Sequence, residues 1–330
     1  MKYYLAPLEG ITTYIYRNAY HSIFHPMDKY FTPFIVPRMK KGMNHREKND
    51  ILPEHNEGLY VVPQLLTNRA EDFIKTAHAL EDYGYREINL NLGCPSGTVA
   101  AKGRGAGFLA HPRELNQFLE EIFTALTLDI SIKTRIGVED AEEFEILLKI
   151  FNQYPLKELI IHPRVQKDYY KNKPNFPVFE KAWKQSKNPI CYNGNLFSRE
   201  DCQKIQQNMP NLPAVMLGRG VIANPHLPGE CLEIEKERDS SETLHLQKRK
   251  KEALQSFHGQ VLEGYREILS GERNVLFKMK EIWSYMIHSF SNYESYKKKI
   301  QKSETLQNYE AVVRSLFREQ DVVAPSLKTM

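Results

Sequence analysis

Residues 86–112, Arg-Glu-Ile-Asn-Leu-Asn-Leu-Gly-Cys-Pro-Ser-Gly-Thr-Val-Ala-Ala-Lys-Gly-Arg-Gly-Ala-Gly-Phe-Leu-Ala-His-Pro, read as a strand, a loop and the start of a helix. Ile88 and Leu90 alternate with Glu87, Asn89 and Asn91 at the period of two expected of a strand. Gly93 and Pro95 end it and leave Cys94 at its carboxyl end, the end at which parallel α/β folds gather their reactive loops. Five glycines from Gly93 to Gly107 let the loop lie close to a flat ligand. His111-Pro112 then opens a helix, with proline in its first turn. A free cysteine is most often a buried small hydrophobe, but the polar, glycine-rich setting of Cys94 favours a functional thiol. Gly103, Gly105 and Gly107 stand too far from the strand for a dinucleotide-binding fingerprint.

The pattern extends in both directions. Apolar runs at Tyr3 to Ala6, Phe31 to Val36, Leu59 to Leu65, Glu87 to Leu90, Ile130 to Thr134, Glu158 to Ile161, Ile190 to Tyr192 and Ala214 to Leu217 alternate with helical stretches. Eight such strands predict a (β/α)8 TIM barrel. Phe144, Leu147, Leu148 and Phe151 form a helical stripe behind an acidic first turn, and Ser198 with Asp201 marks another helix start. The periodicity lapses near Pro228 to Ser241. Beyond it, 244–269, 273–290, 293–302 and 304–319 read as helices of a small C-terminal bundle. The expected domains are therefore a barrel over 1–240 and a helical domain over 241–330.

The 330 residues suffice for such a barrel plus a smaller domain, and 41% hydrophobic with 26% charged residues is an ordinary globular composition. No run is long enough for a membrane span, and the start lacks a signal-peptide segment, so the expected location is the cytoplasm. The four cysteines show neither a disulfide framework nor zinc spacing, and no metal is expected. Residues 241–330 hold 15 Lys/Arg and 11 Asp/Glu, so the whole net charge of +4 lies in the tail.

Polar residues follow seven of the eight strands or sit within them. They are Pro7-Leu8-Glu9, Gln64, Asn91 with Cys94, Lys133 with Arg135, His162-Pro163-Arg164, Asn193-Gly194-Asn195 and Gly218-Arg219. The last two loops have the composition of a phosphate cradle. A flat ring extending from that phosphate towards Pro7, Gln64 and Lys133 describes flavin mononucleotide (FMN), with Lys133 at the edge where reduction places negative charge.

These motifs resemble the tRNA-dihydrouridine synthase family: Ala6-Pro7-Leu8-Glu9-Gly10-Ile11-Thr12, Asn91-Leu-Gly-Cys94-Pro95, Ile132-Lys133-Thr-Arg135-x-Gly137, His162-Pro-Arg164, Asn193-Gly194-Asn195 and Gly218-Arg219-Gly220, in order over about residues 1–225. The resemblance implies an FMN barrel with an RNA-binding helical domain, reducing uridine C5–C6 in tRNA with NADPH. It implies Cys94 as the general acid at C5, and Asn91, Arg135 and Arg164 at the substrate. It assigns the cofactor to Pro7, Leu8, Glu9, Gln64, Lys133, His162, Asn193, Gly194, Asn195, Gly218 and Arg219. Leu8, Leu65, Pro163 and Val165 depart from the family's usual residues around the flavin and the substrate rim. The opening Pro-x-Glu-Gly and the Lys280 to Tyr285 helix resemble the subfamily acting near D-loop position 16; an rRNA target is the alternative.

A flavin barrel acting on a free pyrimidine, of the dihydroorotate dehydrogenase type, is a rival with a similar site, though it has no use for a basic tail. A non-catalytic RNA-binding barrel is a second rival, opposed by the joint presence of Cys94, Lys133 and His162. Lys248 to Lys251 and Lys297, Lys298 and Lys299 form two basic clusters expected to meet RNA phosphates. The chain is expected to act as a monomer.

Overall fold

Nine short parallel segments carry the fold: β1 (Lys2–Leu5), β2 (Lys29–Phe31), β3 (Val61–Val62), β4 (Gln64–Leu65), β5 (Glu87–Leu92), β6 (Asp129–Arg135), β7 (Leu159–His162), β8 (Ile190–Tyr192) and β9 (Ala214–Leu217). The computed structural model describes residues 1–38, 42–232 and 240–325. The segments are hydrogen-bonded in the order β3-β2-β1-β9-β8-β7-β6-β5-β4. Its two ends, β3 and β4, are separated only by Pro63. Proline brings no N–H to a ladder, so Val61–Val62 pair with β2 while Gln64–Leu65 pair with β5. One interrupted strand thus closes a ring of eight, the predicted TIM-barrel fold.

The second strand is displaced from its predicted span, Phe31 to Val36, which it shares only at Phe31. Regular pairing covers Lys29–Phe31, and Ile35 makes only an isolated bridge to Leu65. Pro33, without a donor, lies between them. The fourth strand runs two residues further than read, through Asn91 and Leu92, because both of its faces are buried. A barrel strand has helices behind it and side chains of other strands before it, so polar alternation here marks the barrel interior rather than a solvent face.

Tyr4, Ala6, Phe31, Val62, Ile160, Cys191, Ala214 and Met216 form an apolar cluster inside the barrel, with Leu8 packed against it. The wall made by β4, β5 and β6 is polar, through Gln64, Asn89, Asn91, Ser131 and Lys133. Towards the amino ends of the strands, Lys29 Nζ donates to Glu87 and Glu158, both at 2.8 Å, and the Tyr4 hydroxyl also donates to Glu158.

Packing divides the described residues into two compact units. The first comprises Met1–Glu9, Asp28–Asn195 and Asn211–Leu217, and contains all nine strands. The second gathers Gly10–Met27, Leu196–Pro210 and the residues from Gly218 on. Within it the helix Tyr14–Ile23 lies against Ser240–Ile268: Thr13 and Tyr265 hydroxyls are 2.8 Å apart, and Tyr16 meets Phe257 edge-on at 5.2 Å. The helices Glu272–Met286, Glu294–Lys302 and Leu306–Glu319 complete this unit, close to their predicted spans. Residues 233–239 of the expected linker lie outside the described residues. Among the described residues, no helix is long and apolar enough to cross a membrane.

Candidate active site

The loop after β5 is fixed from below by Asn91. Its Oδ1 accepts from the backbone N–H groups of Gly93 (3.0 Å) and Cys94 (2.9 Å). Its Nδ2 donates to Gln64 Oε1 at 2.7 Å, Gln64 Nε2 donates to Asn89 Oδ1 at 2.8 Å, and Asn89 Nδ2 donates to Ser131 at 2.9 Å. Four side chains on three neighbouring strands therefore form one buried relay that ends beneath Cys94. Fully satisfied networks of this kind hold a unique geometry. From above, the Gly105–Ala110 turn closes on the loop, with Ala106 N–H donating to the Cys94 carbonyl at 3.0 Å. Gly105 has φ +57°, and a Cβ on Gly107 would stand 2.5 Å from the Ala100 carbonyl oxygen. Neither position admits a side chain without rearrangement.

Cys94 itself is half-buried. Burial pushes its thiol up, opposed by a backbone hydrogen bond from Ser96 and the charges of Arg135 and Lys133. The group is thus protonated at neutral pH, while two cations stand ready to stabilise its conjugate base. That combination suits a thiol that gives up a proton once per turnover.

Lys133 pairs in register with Asn91 across β5 and β6. Burial, then the neighbouring Arg135, pushes its ammonium down to about 8. Among the described residues it has neither a carboxylate partner nor a hydrogen-bond acceptor. Lys133 is half-buried, and a desolvated cation without a partner is costly, so this position fits a ligand that brings negative charge or acceptor atoms.

Arg135 is fully buried. Its Nε donates to the Gly93 carbonyl (3.1 Å), Nη1 to Val165 (2.9 Å) and Nη2 to Tyr169 (2.7 Å), and the Tyr170 ring lies 5.4 Å from the guanidinium. Gln166 Nε2 adds a bond to the Pro95 carbonyl at 3.0 Å. The loop after β5 and the loop after β7 are thereby latched together. Sequence reading singled out Arg135 but missed Gln166 and Tyr169, whose roles depend on backbone carbonyls that no motif displays.

His162 and Arg164 share one cluster. Arg164 donates to His162 Nε2 at 2.6 Å, to the Asn172 carbonyl at 2.6 Å and to Asn195 Oδ1 at 3.1 Å. Since a guanidinium can only donate, His162 accepts at Nε2 and carries its proton on Nδ1. Asn193 is buried with its amide on the Met216 carbonyl at 2.8 Å. A Cβ on Gly194 would meet the Tyr192 hydroxyl at 2.1 Å, which accounts for glycine there. Pro7 and Leu8 are half-buried, whereas Glu9 is exposed and paired with Arg46.

Gly218 and Arg219, in the second unit, open the short helix Arg219–Ala223, and the Arg219 guanidinium stacks at 5.5 Å over Phe197. Lys298 and Lys299 are exposed on the helix Glu294–Lys302 and Lys297 is half-buried; none of the three has an ion-pair partner among the described residues. The other basic cluster differs: Lys250 pairs with Glu230 at 2.5 Å, Lys251 with Asp321 at 3.7 Å and Lys248 with Glu252 at 4.0 Å. No cluster of acidic, histidine and cysteine side chains suited to a metal ion occurs among the described residues.

Comparison with known proteins gives the family. A probable tRNA-dihydrouridine synthase of Staphylococcus epidermidis is 28% identical over 241 residues, covering 67% of this chain and 69% of that protein. The tRNA-dihydrouridine synthase B of Pasteurella multocida is 26% identical over 226 residues, covering 68% of this chain and 67% of that protein. Among solved structures, that of 2-naphthoyl-CoA reductase with 2-naphthoyl-CoA matches with a TM-score of 0.52 at 11% identity, over 69% of this chain and 49% of that one, a likeness of fold alone. The family model described as dihydrouridine synthase (Dus) matches residues 4–320, and the chain accordingly belongs to the dihydrouridine synthase family of oxidoreductase enzymes.

Proposed function

We propose that this protein reduces a uridine of transfer RNA to 5,6-dihydrouridine, with bound FMN and with NADPH as the electron source. The observation that carries this reading is the pairing of a protonated, half-buried Cys94 with a cation, Lys133, that lacks any anionic partner among the described residues. Bound FMN, held by Lys133 and Gln64, would supply the hydride that C6 of the uracil requires. Cys94 Sγ donates the proton that C5 then requires, and the resulting thiolate, held beside Arg135 and Lys133, recovers its proton from solvent.

Lys133 binds the electron-rich edge of the cofactor and offsets the charge that reduction places there. Gln64 and the loop at Asn193 to Asn195 are the proposed contacts along the rest of it, with Pro7, Leu8, Glu9 and His162 lining its surroundings. Asn91 and Arg135 serve the substrate end chiefly by holding the Cys94 loop in place, and Arg164 frames the same mouth. The target base must leave its stack to reach such a site. The unpaired Lys297, Lys298 and Lys299 then take RNA phosphates.

The test compares substrates. Purified protein loaded with FMN and supplied with NADPH is expected to form dihydrouridine in an unmodified tRNA transcript and to leave free uridine and orotate unreduced. Faster turnover of orotate than of tRNA would replace this reading with the free-pyrimidine one, and dihydrouridine only in ribosomal RNA would change the substrate.

A further inference from the structure

Tyr169 has a backbone conformation that tyrosine rarely takes, with φ +49° and ψ −100°. Positive φ is strained for a side-chain-bearing residue, and the surroundings must offset that cost. Here the offset is visible: the Tyr169 carbonyl accepts from buried Arg135, and its N–H donates to the Gln166 carbonyl at 3.1 Å. The latch that holds the loop after β7 against the Cys94 loop therefore also holds Tyr169 in this pose. What the pose does is set an aromatic ring at the rim. The Tyr169 side chain leans over the Cys94 loop, its hydroxyl 3.8 Å from where a Cβ on Gly97 would stand, and the residue is 43% exposed.

Its neighbour is differently placed. The Tyr170 ring is committed to the guanidinium of Arg135 and to the ring of His162, 6.0 Å away. No ring or cation engages Tyr169 among the described residues. Tyr60, the third exposed tyrosine of the first unit with Tyr169 and Tyr170 among the described residues, sits with Lys29 and Glu87 at the amino ends of the strands, away from Cys94. Tyr169 is thus an exposed aromatic face over the Cys94 loop, too exposed to sandwich the reacting ring itself.

We propose that Tyr169 is a stacking platform for a nucleobase flanking the reacting uridine, so that the RNA strand is gripped as its target base turns inward. The inference rests on RNA being the substrate. Aromatic stacking is a common way to hold an unpaired base irrespective of its identity.

The experiment measures the dissociation constant of an unmodified tRNA transcript, with dihydrouridine formation and flavin reduction by NADPH in parallel, for wild type, Tyr169→Phe, Tyr169→Leu and Tyr169→Gly. Tyr169→Leu and Tyr169→Gly are expected to weaken RNA binding about tenfold. Tyr169→Phe should stay within about twofold, and flavin reduction should be unchanged throughout. Tyr169→Gly serves as the structural control: glycine suits the positive φ, so a thermal midpoint no lower than wild type's combined with weaker RNA binding assigns the loss to the missing ring. Wild-type affinity in the leucine and glycine variants would overturn the proposal, as would a loss in Tyr169→Phe as large as in Tyr169→Leu, which would point to the hydroxyl. If wild type binds tRNA but forms no dihydrouridine, the reaction is wrong while the affinity comparison still decides the platform; if it binds no RNA, the platform falls with it.

Discussion

Lys133 and Cys94 lie in the same mouth and are shifted by the same burial in ways that suit opposite tasks. For Lys133 the charged form is disfavoured in the folded chain, so the fold carries a penalty at neutral pH that fades as pH rises from about 8 towards the ordinary lysine range. Lys133→Met should therefore raise the thermal midpoint of the flavin-free protein at pH 7 by a few degrees while lowering its retention of FMN. Thermal melts with and without added FMN check both halves. Flavin affinity of the wild type should fall above about pH 8, where the cation is lost, and this dependence should flatten in Lys133→Met. Unchanged affinity and unchanged pH dependence would remove Lys133 from the cofactor site. The thiol runs the other way: burial keeps its proton on, and the two cations limit the cost of removing it.

At the scale of elements, the strand-end loops are held by contacts that leave little room for change. Gly107→Ala would put a methyl within 2.6 Å of the Ala100 backbone, and overpacking of this kind costs about 1–3 kcal/mol. The variant should melt lower and lose dihydrouridine formation more than flavin reduction, since the Cys94 loop shifts while the cofactor end does not; equal loss of both would mean that the loop supports the whole mouth. Much of this level was legible in the sequence. Hydrophobic period and turn residues located the strands except the second, which ends at Phe31 where the predicted run begins; the capping pair Ser198 and Asp201 did start a helix, and Pro112 opened another. Pro63 and Pro33 fixed the irregularities, yet their consequence depends on which neighbours a strand pairs with, and a sequence does not display pairing. The same holds for the site. Cys94, Lys133 and His162 stood out by type and position, whereas the Asn91–Gln64–Asn89–Ser131 relay and the Arg135 latch join residues brought together only when the barrel closes. The buried Lys29, Glu87 and Glu158 group was missed for the same reason.

On the scale of the whole molecule, the helical unit supplies a stability signature and, in the proposed function, the surface that takes RNA. Trp283 Nε1 donates to the Tyr309 hydroxyl at 2.6 Å, leaving that hydroxyl to donate to His258 Nε2, also 2.6 Å away. Burial, then the charge of Arg266, pushes His258 down to about 4, so its neutral form is built into the fold. Its contribution is fully present above pH 6.5 and is lost as pH falls towards 4. Thermal midpoints should drop by several degrees over that window, and His258→Gln should flatten the drop while lowering stability at pH 7.5. An acid profile identical in both proteins would place the titration elsewhere. On the surface, changing Lys297, Lys298 and Lys299 together to glutamate should weaken tRNA binding steeply at moderate salt and reduce the salt slope by about two to three units. The equivalent change at Lys248, Lys250 and Lys251 should do less to RNA, because those side chains already face Glu252, Glu230 and Asp321. The reverse ranking would move the RNA track to the longer helix.

In the proposed reaction Cys94 acts on an RNA uridine after the cofactor has been reduced, and separating the two half-reactions tests this most directly. In a stopped-flow experiment on FMN-loaded Cys94→Ala, NADPH should reduce the flavin at a rate near that of wild type. Its reoxidation by unmodified tRNA, read together with dihydrouridine in the recovered RNA, should be slower by roughly 10²-fold or more. Reoxidation and dihydrouridine formation at wild-type rates would show that the thiol is structural, and a wild-type flavin that tRNA fails to reoxidise would contradict the proposed reaction itself.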